Sequence, residues 1–219
     1  MSWSVTAEQI GRAARLPVAN IGDAMRRLNV CDHGIKPIWT GARIAGRART
    51  VQTAAGDNQG IHAILPTLTL GEILVVDGQG LPDRALIGEL IAGRARAVGA
   101  SGFLICGAVR DAQDLEDMAF PVFARGVSPA GPYRNGPFNL DVPVAIGGVV
   151  VQPGDLVVGD EDGVAVIPAA DVEAVLERAE RKNADETAQR EEIEAQWALL
   201  ADVHAGAGSQ AVLEKEEQA

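Results

Sequence analysis

The hydrophobic and polar positions of residues 42–109 follow the patterns of alternating strands and helices. Apolar and polar residues alternate over residues 42–53, which predicts a half-exposed strand. Uncharged apolar runs at residues 73–76 and 103–109 predict two buried strands, and the segment between them has helical spacing. A strand, a helix and another strand in this order predict a crossover connection within a locally parallel sheet.

The pattern changes after Phe120, where three short Val-rich runs are separated by Pro-Gly-Asp and Glu-Asp-Gly turns. Such runs predict antiparallel β structure or a small barrel-like layer. Near the N-terminus, Thr6 and Gln9 have the spacing of a capping box, which predicts a short helix through Leu16, and a second helix is predicted over residues 21–28. The sequence therefore predicts an α/β fold, a single domain with a mixed β core and flanking helices.

The last part of the chain is predicted to be one long helix. Asp171 can cap its start and an apolar stripe in its first turns can pack on the domain, whereas residues 177–192 offer only alanines for burial. A helix that is polar on all faces either lies in solvent or bridges to another subunit. We expect a catalytic domain over residues 1–168 and a helical arm over residues 169–219, with the helix ending near Leu200 in a loose tail.

Composition limits the classes of function. The 219 residues suffice for one substantial domain, and a hydrophobic share of 47% is that of a globular chain. A formal net charge of -11 and a pI near 4.7 disfavour binding to nucleic acid or to anionic membranes. No apolar run approaches the roughly 18 residues of a membrane span, so we expect a cytoplasmic protein. Cys31 and Cys106 lie far apart and predict no disulfide.

Arg110 and Asp111 stand side by side directly after the second buried strand. In α/β proteins ligands gather beyond the carboxyl ends of strands, which makes this pair a candidate site. The alternative is structural, with Asp111 capping the following helix and forming a salt bridge with Arg110. Two more carboxylates belong to the candidate site, because Asp114 follows Asp111 at helical spacing and Glu89 comes just after Gly88 near the start of the preceding helix.

These residue types match the chemistry of a 2-oxo acid that reacts through an enolate. Asp111 together with several waters is a ligand set that suits a hard divalent cation such as Mg²⁺. The backbone amides of Leu90 and Ile91, which follow Gly88 at the positive end of a helix, offer a socket for a small carboxylate. Arg110 would stabilise the negative charge that develops on a neighbouring oxygen.

Several motifs between residues 41 and 168 occur in the order typical of one enzyme family. They are GARIAGRA, GDNQGIHAIL, GEILVVDGQG, GELIAGRARAVG, CGAVRD, SPAGPYRNG, VPVAIGGVVVQPGD and GDEDGVAVIP. On these motifs the chain resembles the class II pyruvate aldolases that cleave 4-hydroxy-4-methyl-2-oxoglutarate and 4-carboxy-4-hydroxy-2-oxoadipate, a family related to the regulator of ribonuclease activity A. The resemblance implies a core of the β/β/α swivelling-domain type and a C-terminal helix that contacts a neighbouring subunit.

The resemblance also implies a role for each candidate residue. Asp111 would ligate Mg²⁺ or Mn²⁺ directly, while Glu89 and Asp114 would hold waters on the metal. Arg110 would contact the carbonyl oxygen of pyruvate, and the amides that follow Gly88 would contact its carboxylate. The implied reaction is retro-aldol cleavage of a 4-hydroxy-2-oxo diacid to pyruvate and a second oxo acid, started by a metal-linked water, with oxaloacetate decarboxylation as a side activity.

Two further expectations follow from the resemblance. The protein would form a homo-oligomer, either a trimer or a dimer of trimers, and would act in the degradation of aromatic compounds. A Glu of the C-terminal helix would reach the active site of a neighbouring subunit, and Glu186 is the candidate in this chain.

Other assignments are disfavoured or stay open. Schiff-base catalysis needs a lysine in a desolvated pocket, and the three lysines all have polar or turn neighbours. A non-enzymatic binding role, like that of the ribonuclease regulator, remains the alternative, although members of that group lack the Asp that follows the Arg here. His62 either touches substrate or forms structural hydrogen bonds, and Arg134 either binds the distal carboxylate of the substrate or is solvated.

Overall fold

The computed structural model describes residues 4–216 of the chain, with side chains described through residue 198 and at Leu200 in the last helix. The helices are α1 (Ala7–Ala13), α2 (Val18–Ala24), α3 (Gln59–Ile64), α4 (Glu89–Ala97), α5 (Ala112–Asp117) and α6 (Val172–Glu216), and a 3-10 turn at Leu65–Thr67 follows α3. The strands are β1 (Lys36–Pro37), β2 (Ile44–Thr53), β3 (Glu72–Asp77), β4 (Ala85–Ile87), β5 (Gly102–Val109), β6 (Val122–Val127), β7 (Phe138–Leu140), β8 (Val144–Ile146), β9 (Val149–Val151), β10 (Leu156–Asp160) and β11 (Gly163–Ile167).

Most strands belong to one mixed sheet with the order β1-β6-β5-β3-β2-β10-β11, in which β7 pairs with β2 and β4 with β5. The central strands β2, β3, β5 and β6 run parallel, while β1, β10 and β11 pair antiparallel at the two ends. Helices cover one face of β5 and the β8–β9 hairpin covers the other. This double burial explains why β5 is an unbroken apolar run rather than an alternating one.

Residues 29–37 bring the two ends of the sheet together. Val30 forms an antiparallel bridge with Ala165 of β11, and β1 then pairs with β6 at the opposite end. Nζ of Lys36 also donates a 2.9 Å hydrogen bond to the carbonyl of Asp162 in the turn between β10 and β11. The sheet is therefore nearly closed, which leaves little unpaired strand edge.

Two groups of helices cover different parts of the sheet. α3, α4 and α5 pack on the central parallel strands, where the rings of Phe103 and Phe120 meet edge to face with centroids 5.1 Å apart. α1, α2 and the first turns of α6 pack on β10 and β11. Because only 4% of the residues are aromatic, the interior is filled mostly by Val, Ile, Leu and Ala.

Most elements lie where the sequence predicts them. Thr6 and Gln9 form the capping box of α1, and the three strands predicted before residue 110 are β2, β3 and β5. The later Val-rich runs form the antiparallel pairs β8–β9 and β10–β11. A single α/β domain with a mixed sheet and a long C-terminal helix is confirmed.

Two elements before residue 90 differ from the prediction. The sequence does not predict β4. Only one residue separates this strand from α4, so the apolar residues of the strand merge with the apolar pattern of the helix. The second helix begins and ends earlier than residues 21–28. Arg26 and Arg27 have positive φ angles of 58° and 65°, and an α-helix does not continue through left-handed residues.

α6 extends beyond the predicted end near Leu200. It begins directly after Asp171 and continues to Glu216, where the sequence predicts a loose tail. Strong helix formers, chiefly Ala, Leu, Glu and Gln, outweigh the two glycines of this stretch. Contacts divide the chain after Ala179, so the first turns of α6 belong to the compact domain and the rest forms a second unit.

The second unit is a polar helix. Lys182 and Glu186 form a salt bridge of 2.9 Å at i,i+4 spacing. Ile193, Trp197 and Leu200 are exposed apolar residues at helical spacing further along. Across the described residues, no helix is apolar over a length sufficient to cross a lipid bilayer.

The start of α2 is capped from a distant strand. Pro17 is its N-cap residue and provides no side-chain hydrogen bond. Asp160 at the end of β10 takes this role, because Oδ2 accepts from the N–H of Val18 at 2.9 Å and Oδ1 accepts from the N–H of Asp162 at 3.0 Å. One buried carboxylate thus joins a helix terminus to a strand turn.

Asp160→Ala is expected to lower the free energy of unfolding by about 1–2 kcal/mol, since the helix cap and the turn contact are lost together. Chemical denaturation measures this change. Asp162→Ala, which alters an exposed side chain of the same turn, is the control. Equal stabilities of the two variants would contradict the capping role of Asp160.

Candidate active site

The carboxyl ends of β4 and β5 meet at one edge of the sheet. The two strands are parallel with Ile87 opposite Val109, and the N–H of Arg110 donates to the carbonyl of Ile87 at 3.0 Å. Gly88 and Arg110, which follow the two strands, are therefore neighbours although all of α4 lies between them in the sequence.

Asp111 contacts the start of α4. Its backbone is left-handed, with φ 57° and ψ 43°, a conformation that Asp adopts more readily than most residues. Oδ2 accepts a hydrogen bond from the N–H of Glu89 at 3.1 Å and lies 3.4 Å from Nε of Arg110. Gly88 makes this approach possible, because a Cβ at that position would overlap the Asp111 carboxylate.

The alternative prediction for Asp111, in which it caps the following helix and pairs with Arg110, is correct in part. The salt bridge with Arg110 forms, but the Asp111 side chain makes no capping hydrogen bond to α5, the helix that follows it. The carboxylate caps α4 instead, through the N–H of Glu89. Both of these contacts use the same oxygen, Oδ2.

A cavity of about 350 Å³ opens at this edge of the sheet. Its lining comes from α3, β4, α4 and the loops after β5 and β6, and consists of Asn58, His62, Ala85, Leu86, Ile87, Gly88, Leu90, Ile91, Arg94, Arg110, Asp111, Pro132 and Arg134. The volume is typical of sites for small molecules. Arg110 and Asp111 share this cavity, which is the arrangement that the sequence hypothesis needs.

The loop between β6 and β7 forms one wall of the cavity and is held by Asp57. The Asp57 carboxylate, on a residue only 2% exposed, accepts hydrogen bonds from the N–H groups of Asn135 at 2.5 Å and Gly136 at 3.1 Å. It also caps α3 through the N–H of Gln59 at 2.9 Å. Although burial raises the pKa of the Asp57 carboxyl, these backbone donors outweigh it, and the pKa lies below its ordinary value.

Arg84 fastens the same loop from outside the cavity. Its guanidinium lies 4.1 Å from the centroid of the Tyr133 ring, and NH1 donates to the carbonyl of Gly131 at 2.8 Å. Two independent attachments therefore fix the wall that carries Arg134.

His62 projects from α3 and accepts a hydrogen bond at Nε2 from the guanidinium of Arg134. Arginine only donates, so Nε2 carries no proton and the neutral imidazole has its proton on Nδ1. Burial and the charges of Arg134 and Arg94 hold the pKa of His62 below its ordinary value. His62 is thus a neutral acceptor that orients Arg134.

The cavity is positive although the chain has a net charge of -11. The guanidiniums of Arg94, Arg110 and Arg134 line it, against one carboxylate among the lining residues, that of Asp111. Since His62 is neutral, a single ligand carboxylate does not balance this charge. The electrostatics favour a ligand with two or more negative charges.

The start of α4 offers one backbone donor to a ligand. Leu90 and Ile91 both line the cavity, but the N–H of Ile91 already donates to the carbonyl of Gly88 at 3.2 Å. Within residues 4–216, the N–H of Leu90 donates to no protein group. Of the two predicted amides, that of Leu90 is available for a carboxylate at the positive end of the helix.

The side chains of three predicted site residues are not part of the cavity lining. Glu89 contacts Asp111 through its backbone only. Asp114 is exposed on α5. Glu186 belongs to the second unit, where it pairs with Lys182. The roles assigned to these three carboxylates stay predictions.

The metal-ligating side chains available around Asp111 determine which metal ion this site suits. Within the described part of the chain, no cluster of three or more His, Cys, Asp or Glu side chains could hold a metal ion. A cation held by one carboxylate must keep most of its waters, which is the behaviour of Mg²⁺. The residues present therefore fit a hydrated hard cation and do not fit zinc, which requires several nitrogen or sulfur ligands.

The sequence does not mark Asn58, Arg94 or Pro132 as site residues, although all three line the cavity. Arg94 follows Leu90 at i+4 spacing, and this periodicity is a signal that places both on one helix face. Asn58 and Pro132 reach the cavity through the packing of α3 and of the β6–β7 loop, which no local pattern reveals.

Comparison with known proteins identifies relatives of the chain. A family model described as RraA-like, Aldolase/RraA, matches residues 18–166. A relative from Halalkalibacterium halodurans, named "Putative 4-hydroxy-4-methyl-2-oxoglutarate aldolase", is 39% identical over 178 residues, which cover 81% of this chain and 85% of the relative.

Solved structures share the fold. An uncharacterized protein from Pseudomonas syringae pv. tomato has a TM-score of 0.76 and 28% identity, covering 88% of this chain and 93% of its own. The RNA-processing inhibitor RraA from Thermus thermophilis has a TM-score of 0.64 and 32% identity, covering 69% of this chain and 92% of its own. The chain is thus similar both to a relative that carries the name of an aldolase and to an inhibitor of RNA processing.

The contact with Arg134 predicts a measurable property of His62. The pKa of His62 is expected to rise toward its ordinary value in Arg134→Gln, because the guanidinium charge and its hydrogen bond oppose protonation. NMR titration of the imidazole signals measures this pKa, and the signals of the exposed His33 report any global effect. An unchanged His62 titration would show that the contact does not form in solution.

Proposed function

The chain belongs to the RraA-like family, and on this premise we propose that it is a divalent-metal-dependent pyruvate aldolase, a carbon-carbon lyase. Its substrate would be a 4-hydroxy-2-oxo diacid, cleaved between C3 and C4 to pyruvate and a second oxo acid. The similarity to a relative named as an aldolase supports this proposal. Oxaloacetate decarboxylation is the expected side activity, since it passes through the same pyruvate enolate.

One observation carries the proposal. Arg110 and Asp111 line the same positive cavity as the available N–H of Leu90. A 2-oxo acid has a carboxylate and an adjacent oxo oxygen. The protein offers an amide donor for the carboxylate, and a guanidinium and a cation ligand for the oxo oxygen. No lysine is among the lining residues, so the described cavity offers no amine for imine catalysis.

Each group would act on a different part of the substrate. The C1 carboxylate would bind at the start of α4, where the N–H of Leu90 and the helix dipole favour negative charge. The guanidinium of Arg110 would face the C2 oxygen, on which negative charge collects as the C3–C4 bond breaks. Asp111 would hold Mg²⁺ or Mn²⁺, which when bound supplies positive charge that polarises the 2-oxo group and acidifies nearby water.

The reaction needs one proton to leave and one to return. Loss of the 4-hydroxyl proton turns C4 into a carbonyl carbon, and the electron pair of the C3–C4 bond moves onto the C2 oxygen as an enolate. Protonation of C3 by water then gives pyruvate. Glu89, whose backbone contacts Asp111, is the candidate to orient the water that takes the first proton.

Arg94 and Arg134 would bind the distal carboxylate. Both line the cavity beside Arg110, and His62 orients Arg134 by accepting its hydrogen bond. The pyruvate part of the substrate is already matched by Leu90, Arg110 and the cation, so these two guanidinium groups are available for a second carboxylate. Guanidinium groups pair well with carboxylates. Their presence supports a diacid substrate rather than a monoacid.

The site would be completed in a homo-oligomer, a trimer or a dimer of trimers. Glu186, in the helical second unit, would reach the cavity of a neighbouring subunit and orient the waters of the cation. The exposed apolar residues Ile193, Trp197 and Leu200 support a contact between this helix and another copy of the chain, because they would be buried there.

A non-enzymatic role as a ribonuclease regulator is the second candidate, favoured by the similarity to the RNA-processing inhibitor. Pyruvate release from 4-hydroxy-4-methyl-2-oxoglutarate, measured with magnesium and with EDTA, separates the two. Release that EDTA abolishes supports the aldolase. No release under either condition, together with tight binding to a ribonuclease, supports the regulator.

Asp111→Asn is expected to lower kcat/KM with magnesium by about 100-fold or more, because an amide keeps the side-chain shape but is a poorer ligand for a hard cation. A coupled lactate dehydrogenase assay measures pyruvate, and calorimetric titration with Mn²⁺ measures metal affinity independently. Asp117→Asn makes the same change at an exposed residue of α5 with no assigned role in the site, and it should have little effect on either. Wild-type rates in Asp111→Asn, or equal losses in both variants, would refute the ligand role.

Glu186→Ala is expected to lower kcat/KM by about 10- to 100-fold, as loss of a group that orients metal-bound waters does. If Glu186 acts on a neighbouring subunit, co-expression with Asp111→Asn should restore activity, because mixed oligomers contain sites with both native residues. Lys182→Ala, which removes the ion-pair partner of Glu186, is the control and should stay near wild type. If the co-expressed variants are no more active than each variant alone, the intersubunit role of Glu186 is ruled out.

A further inference from the structure

Asn58 is a buried residue of the cavity wall that the catalytic scheme leaves without a role. It is the N-cap residue of α3 and is 4% exposed. Its backbone N–H donates to the carbonyl of Tyr133 at 3.0 Å, and Nδ2 donates to the carbonyl of Leu86 at 3.1 Å. Asn58 is therefore fixed against both the β6–β7 loop and β4.

The other half of the Asn58 amide has no partner. Within residues 4–216, Oδ1 of Asn58 is the buried side-chain oxygen or nitrogen for which no hydrogen bond is found. The amide cannot be turned round to avoid this, because the carbonyl of Leu86 only accepts and so requires Nδ2 on its side. Of the three arginines in the cavity, none donates to Oδ1.

Leaving a buried carbonyl oxygen without a hydrogen-bond donor is unfavourable, and a ligand with a suitable donor would remove this penalty. The ligand group must carry a hydrogen, because Oδ1 only accepts. Carboxylates and oxo groups of a 2-oxo diacid have no hydrogen to donate. In a 4-hydroxy-2-oxo diacid at neutral pH, the one donor is the 4-hydroxyl group.

We propose that Asn58 binds the 4-hydroxyl group of the substrate through Oδ1 and is the residue that selects hydroxylated 2-oxo diacids. This inference rests on the proposed aldolase function and adds a specificity determinant to it. The 4-hydroxyl has one proton, so this hydrogen bond forms in the substrate complex, and the O–H must turn from Oδ1 toward the water that takes the proton before the C3–C4 bond breaks. Asn58 also distinguishes substrate from products, because neither pyruvate nor the second oxo acid has a hydroxyl group to offer.

Loss of the Asn58 acceptor should affect two reactions of the same enzyme differently. Asn58→Leu, which keeps the approximate volume but removes the acceptor, should raise KM for 4-hydroxy-4-methyl-2-oxoglutarate by about 10- to 100-fold. Oxaloacetate lacks the 4-hydroxyl, so kcat/KM for its decarboxylation should change by less than about threefold. The ratio of the two activities in one sample does not depend on the folded fraction, so a partly unfolded variant remains informative.

Asn139→Leu is the matched control, because Asn139 is exposed on β7 and its Nδ2 donates to Oε1 of Gln52 outside the cavity. This variant should leave both activities unchanged. Equal losses of both activities in Asn58→Leu would show a purely structural role. Unchanged activities would show that the substrate forms no hydrogen bond with Oδ1. Either result overturns the inference.

A measurement on the wild-type protein gives a second test. 4-Hydroxy-2-oxoglutarate and 2-oxoglutarate differ only in the hydroxyl group, and the first should bind about tenfold or more tightly as a competitor of the cleavage reaction. This preference should disappear in Asn58→Leu. Equal inhibition of the wild type by both compounds would refute the role of Asn58. Failure of the aldolase proposal itself looks different, because the wild type would then release no pyruvate from any hydroxylated diacid.

Discussion

The candidate site depends on the parallel pairing of β4 with β5. This pairing places the residue after one strand against the residues after the other, so that Gly88 meets Arg110 and Asp111 at the edge of a buried sheet. The N–H of Arg110 takes part in the pairing, and the Asp111 carboxylate holds the first N–H of α4. The candidate ligand-binding groups are therefore held by backbone pairing at the edge of a buried sheet, an arrangement that favours binding with little reorganisation.

Charge is distributed unevenly between the exterior and the cavity. The chain as a whole is strongly acidic, yet the cavity contains three guanidiniums and one carboxylate. A cation held by Asp111 would lie near Arg110, and the repulsion between them is relieved when an anionic ligand fills the cavity. The charges of the substrate are thus part of the electrostatic balance of the site, which favours diacids over neutral or singly charged ligands.

The sequence predicts the parts of this site that depend on local patterns. The buried run of β5 and the Arg110–Asp111 pair after it are visible in the sequence, and so are the capping box of α1 and the antiparallel hairpins. The sequence does not predict β4, because a three-residue strand beside a helix has no periodicity of its own. Asn58 and the His62–Arg134 contact depend on how α3 and the β6–β7 loop pack, and such long-range contacts leave no local signal. For Asp114, the i+3 spacing from Asp111 indicates only a shared helix face, and whether its carboxylate holds a water on a cation stays a prediction, because Asp114 is not among the residues that line the cavity.

The left-handed backbone of Asp111 restricts which residues natural variation can place there. Most side chains are strained in this conformation, and Asn and Gly are the common exceptions. A codon for Asp becomes one for Asn through a single nucleotide change, which would keep the side-chain size while weakening the hold on a cation. A protein of this fold with Asn at position 111 would therefore keep the left-handed turn and an oxygen for the N–H of Glu89, while losing the carboxylate that a divalent cation prefers.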